Sequence, residues 1–99
     1  MAVKPVEIHP EALSELKSAV AWYLKRSEPA ALKFTTELDR AIGLLADSPE
    51  RWPAGEHRTR KFVLRRFPFA IIYREKSDAI QVLAVAHGHR RPDYWHDRL

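Results

Sequence analysis

The run RTRKFVLRRFPFAIIYREKSDAIQVLAVAH, residues 58–87, decides the fold. Three segments in it, 58–64, 67–74 and 79–87, are rich in β-branched and aromatic residues, which pack well on a pleated surface. Between the last two stands Glu75-Lys76-Ser77-Asp78, polar and of hairpin-turn length. Strands joined by links this short run antiparallel, because a parallel return needs a crossover of about a dozen residues or more. The stretch predicts a three-stranded antiparallel meander.

Upstream the period changes from two to 3.6. Residues 9–26, HPEALSELKSAVAWYLKR, place Pro10 in a first turn, where proline is tolerated, and Glu11 beside the positive end of the helix dipole. Leu13, Leu16, Val20, Tyr23 and Leu24 then fall on one face. Ser27-Glu28-Pro29 repeats the start signal, and Ala31, Phe34, Leu38, Ala41, Ile42 and Leu45 draw a second stripe that Asp47-Ser48-Pro49 ends. Two helices joined so tightly form an antiparallel hairpin. Residues 48–57, SPERWPAGEH, read as a loop with Trp52 folding back over the core. Val6-Glu7-Ile8-His9 alternates as a short strand, and Pro5 before it argues for an edge position. The expected architecture is α+β: an N-terminal strand, a helical hairpin, the meander, and a short C-terminal helix or tail in which Tyr94, Trp95 and Leu99 pack on the sheet.

Ninety-nine residues correspond to one domain, 1–99. The chain has no cysteine, which excludes disulfides, thiolate catalysis and Cys-based zinc sites. Its apolar runs are too short for a membrane helix, and residues 1–10 lack a signal-peptide apolar region, so a cytoplasmic location is expected. Net charge is +4, and the distribution says more: residues 1–56 carry a balance of −2 and residues 57–99 one of +6. The positive field belongs to the half that forms the sheet, and an acidic partner suits it.

Two sets of residues could carry chemistry. Arg58, Arg60, Lys61, Arg65, Arg66 and Arg91 could hold phosphates or an acidic target, or simply keep strands solvated. At the end of the last strand, His87, His89, Arg90, Tyr94 and His96 supply the side chains that metal-free RNA cleavage requires: a base, an acid and a cation for the developing phosphorane charge. A structural alternative pairs Arg90 and Arg91 with Asp93 or Asp97 and leaves Tyr94 and Trp95 to seal the core. His87, His89 and His96 offer nitrogen ligands, but no Cys or carboxylate completes a recognised zinc spacing, and neither metal nor cofactor is expected. A phosphate-binding glycine loop and a nucleophile elbow are both missing.

Over nearly its whole length the chain resembles the RelE/ParE superfamily of type II toxin–antitoxin toxins, most specifically in RKFVLRRFPFAIIYRE (60–75) and VLAVAHGHRRPDYWHDR (82–98). The resemblance implies a growth-inhibiting toxin, of the kind that stabilises plasmids, neutralised in a hetero-oligomer with a cognate antitoxin. RelE-like members cleave mRNA in the ribosome; ParE-like members poison DNA gyrase and have no accepted catalytic residues. On the RelE pattern, Lys61 matches a strand lysine, Arg90 the arginine after the last strand and Tyr94 the C-terminal tyrosine, with His87 a second proton-moving group. Two RelE cations are lost, at Val63 and Ala70, with Arg65, Arg66 and Arg74 the alternatives in their place. Loss of a single preorganised donor to transition-state charge typically costs about 100- to 1,000-fold in rate. The incomplete set favours a gyrase target over an endoribonuclease, with a non-toxic remnant that only binds its antitoxin as a third reading.

Overall fold

The computed structural model describes residues 4–99, so the first three residues of the expected domain lie outside it. The elements are β1 (Val6–Ile8), α1 (Pro10–Arg26), α2 (Glu28–Asp47), β2 (Thr59–Val63), β3 (Phe69–Glu75) and β4 (Ile80–His87), with 3-10 turns at Pro49–Arg51, Glu56–Arg58 and His96–Arg98. The architecture is α+β, as read from the sequence, and the C-terminal element is a single 3-10 turn.

Local chemistry sets the helix ends. His9 closes the start of α1, its Nδ1 accepting the Glu11 N–H at 3.1 Å. Ser27 serves both helices: its N–H donates to the Tyr23 carbonyl at 2.8 Å, and its Oγ accepts the Ala30 N–H at 3.2 Å. One residue thus satisfies groups that two helix termini would leave unpaired, and the helices fold back antiparallel.

The buried face of α2 is the expected one, with Ala31, Phe34, Leu38, Ala41 and Leu45 inward. That of α1 is rotated from the expected stripe: Ala12 and Ala19 are buried, Leu16, Val20 and Tyr23 pack beside them, and Leu13 and Leu24 are 38% and 53% exposed. Small alanines let the backbone approach the sheet, so the contact line follows Ala12 and Ala19 instead of the leucines. Tyr23, Phe34, Phe67 and Phe69 form an aromatic cluster with ring centroids 5.1 to 6.5 Å apart. Trp52 folds back on Phe62 at 4.8 Å, as expected.

The sheet order is β1-β4-β3-β2. β2, β3 and β4 form the predicted meander; β1 adds in parallel at the edge, Val6 opposite Ile80 and Ile8 opposite Val82, which makes the sheet mixed. The expected strand 67–74 starts two residues later, because residues 64–68 form a tight connection closed by the Leu64 N–H on the Phe69 carbonyl at 2.9 Å. β1 is short and pairs only with Ile80–Val82, so among the described residues that edge of β4 has no strand partner beyond Val82. The helices cover one face of the sheet. On the other, Trp95 packs on Ile72, Leu83 and Ala84.

Candidate functional site

The outer face of the sheet is covered only in part. Between β2 and the residues after β4 it opens into a cleft of about 600 Å³. Its floor includes Val63, Ala70, Ile72 and Ala86, and its rim includes Arg60, Lys61, His87, Arg90, Arg91 and Tyr94. Six of the eleven candidate residues therefore border this cleft, and His89 and His96 do not. Arg58, Arg65 and Arg66 stay outside it, exposed at turns. The turn of Arg65 and Arg66 is held by the Glu37 carboxylate, which accepts their backbone N–H groups at 2.7 and 3.3 Å.

Register explains the gathering. Lys61 stands opposite Ile72, and Val63 opposite Ala70, so these residues share the outer face. Arg60 borders the cleft, but its guanidinium is engaged elsewhere. Its guanidinium donates to the carbonyls of Glu50 and Trp52 and pins residues 50–52 to β2, so this expected binding cation is a structural residue. Lys61, Arg90 and Arg91 are exposed at the rim. Arg90 lies over the Tyr94 ring, 3.9 Å from its centroid. Among the described residues neither Arg90 nor Arg91 pairs with Asp93 or Asp97, so that half of the structural alternative does not hold, whereas Tyr94 and Trp95 do pack against the sheet as it expected. His87 ends β4 with its Nδ1 accepting the His89 N–H at 3.1 Å and its ring against Phe69.

Tyr94 is the expected catalytic residue whose surroundings differ most from expectation. Its hydroxyl donates to Glu15 Oε2 at 2.7 Å, and the same carboxylate takes two bonds from Arg98, both 2.9 Å, and one from the Val85 N–H at 3.0 Å. Arg98 also donates to the Leu83 carbonyl at 3.0 Å. Glu15 and Arg98 thus satisfy the edge of β4 that β1 leaves open, which would otherwise be a template for strand addition. Burial and the carboxylate acceptor push the Tyr94 hydroxyl well above its ordinary range, away from proton transfer near neutrality. Burial pulls Glu15 upward, but the bonds from Arg98, Tyr94 and Val85 outweigh it and hold the carboxyl below its usual range. The Glu15 bonds likewise outweigh burial at Arg98 and raise it.

Sequence reasoning missed Glu15 and Arg98, which lie 83 positions apart with no motif joining them. It also treated His96 with His87 and His89. His96 instead meets His57, ring centroids 4.6 Å apart.

A second groove, about 540 Å³, runs beside α1 and is lined by Ala19, Trp22, Tyr23, Phe69, Val85 and His87, among others. Trp22 at its mouth is 51% exposed, with Arg26 stacked 3.6 Å from the ring centroid.

Comparison with known proteins places this geometry. Residues 6–92 match the family model of the ParE toxin of the type II toxin–antitoxin system parDE. The chain belongs to the ParE toxin family. It is also similar to a solved structure of the chromosomal ParDE toxin–antitoxin system from P. aeruginosa, with a TM-score of 0.74 at 21% identity over 86% of this chain and 96% of that one. A likeness of that kind shows a shared fold. No curated protein sequence matches. As a ParE-family toxin the chain carries its cationic rim on the family's sheet, and no helix among the described residues is long and apolar enough to cross a membrane.

Proposed function

We propose that the chain arrests growth by acting on DNA gyrase and is held in check by a cognate antitoxin. One observation carries the choice of target: the cleft gathers the cations Lys61, Arg90 and Arg91, but the tyrosine hydroxyl that RNA cleavage would use is bound to Glu15. A cationic rim around an apolar floor suits capture of a macromolecular surface. Proton transfer to a leaving 5′-oxygen needs a group that changes protonation near neutral pH, and Tyr94 is shifted away from that.

The antitoxin fits the groove beside α1. Its lining is largely apolar, Trp22 stands half exposed, and a disordered acidic segment could fold there as a helix, steered by the positive half of the chain. That the chain has an antitoxin partner is supported by its match to the ParE toxin family and by the ParDE system that shares this fold.

The test is controlled induction in a host, with DNA and RNA examined in the same cells. The reading expects filamentation and gyrase-linked DNA breaks with intact transcripts, and rescue by the neighbouring small open reading frame. Codon-phased mRNA cleavage would favour the endoribonuclease, in which Lys61 and Arg90 hold phosphate and His87 moves protons. A chain harmless at high expression would favour the antitoxin-binding remnant.

A further inference from the structure

Glu56 and His57, in the turn before β2, meet His96 in the last turn of the chain. One donor atom from each lies within 4.8 Å of the others. His96 Nε2 is 4.0 Å from Glu56 Oε2 and 3.3 Å from Asp93 Oδ1. That nitrogen is out of contact with water, and its geometry toward Asp93 forms no hydrogen bond. The two imidazoles stand edge to face, 83° between planes.

We propose that Glu56, His57 and His96, with Asp93 beside His96, bind a divalent transition metal of the zinc class. The donor set decides the class. Two imidazoles with carboxylates match borderline cations such as Zn²⁺ or Ni²⁺, whereas Mg²⁺ and Ca²⁺ prefer oxygen alone. Spacing agrees: metal–ligand bonds of about 2.0 to 2.2 Å in a tetrahedron put donors roughly 3.4 Å apart. The separation from His96 to Asp93 already has that value, and the one to Glu56 reaches it by a small rotation of an exposed side chain. A buried imidazole nitrogen with no hydrogen-bond partner is costly to leave unsatisfied, and a metal satisfies it. Spacing of 39 residues between His57 and His96 hides the set from any sequence pattern.

Such an ion joins the turn before β2 to the tail after β4. Glu56 and Asp93 both line the outer-face cleft, and Arg90 and Arg91 lie just upstream of Asp93. Binding would therefore fix the tail that carries two of the three rim cations. Metal occupancy and the shape of the target-facing surface become linked.

The test titrates the purified, untagged full chain with ZnCl₂ by calorimetry and follows thermal unfolding with and without the ion. His57→Asn and His96→Gln are the variants. Asparagine tolerates the left-handed backbone that His57 adopts (φ 57°), so it removes the ligand and keeps the turn. Expected are 1:1 uptake, a raised unfolding temperature, and affinity weakened by at least about tenfold in each variant. A double variant, His87→Ala with His89→Ala, should keep wild-type binding. No uptake, uptake undiminished in His57→Asn, or uptake lost only with His87 and His89 would each overturn the proposal. Growth arrest does not enter these readouts, so the metal site and the toxin reading can fail separately.

Discussion

Glu15 is the residue on which the C-terminal segment turns. It receives Tyr94, Arg98 and the Val85 N–H, and the Arg98 side chain is only 6% exposed. Removing one partner of a buried pair leaves the other charged and unsatisfied, so Glu15→Ala should lower stability by about 3 kcal/mol in urea unfolding. Tyr94→Phe removes one charge-assisted bond and should cost about 1.5 kcal/mol while leaving growth arrest intact. The pH dependence follows from the direction of each shift. Glu15 is lowered in the folded chain, so its contribution is full above the ordinary Glu value of about 4.3 and is lost as pH falls through the folded value. Tyr94 is raised, so its contribution is full below about pH 10 and is lost as pH rises further. Near-UV circular dichroism of the Trp95 environment should therefore hold a plateau between those limits. His87, Arg90 and Tyr94 were legible as a cluster because they follow the end of the last strand, and Lys61 joined them only through the family resemblance; Glu15 was not legible, because nothing in a helix stripe says which polar residue will meet the far terminus.

Among the elements, the meander and the hairpin were plain in the pattern, and the facing of α1 was not. Leucine spacing pointed to Leu13 and Leu24, but tertiary contact follows the alanines that let a helix lie close to a sheet. Pairing of β1 was equally hidden: three residues show alternation, and partner and direction depend on where a helical hairpin returns the chain. Ser27 caps both helices, so Ser27→Ala should destabilise by about 1 kcal/mol or more in chemical denaturation. Arg60 holds residues 50–52 against β2 through two carbonyls, which makes Arg60→Ala a stability variant: a loss of about 1 to 3 kcal/mol is expected, with faster proteolysis at 48–57. Tyr73 ties the same segment from inside, its buried hydroxyl donating to the Pro49 carbonyl at 2.6 Å and pushed up to about 12 by burial.

For the whole molecule, charge and shape point the same way. The +6 balance of residues 57–99 lies on the sheet half, and the cleft there opens opposite the helices that fill the core. An acidic partner should associate more slowly as salt rises, with the dissociation rate little changed. Charge reversal at the rim, Lys61→Glu with Arg91→Glu, should abolish growth arrest while leaving folding intact, because both side chains are exposed. The central claim concerns the target, and the most direct measurement adds purified chain to gyrase, supercoiled plasmid and ATP, alongside a ribosome-bound mRNA. The account predicts gyrase-dependent plasmid cleavage that Tyr94→Phe retains, with the mRNA uncut. Cleaved mRNA with the plasmid untouched would contradict it.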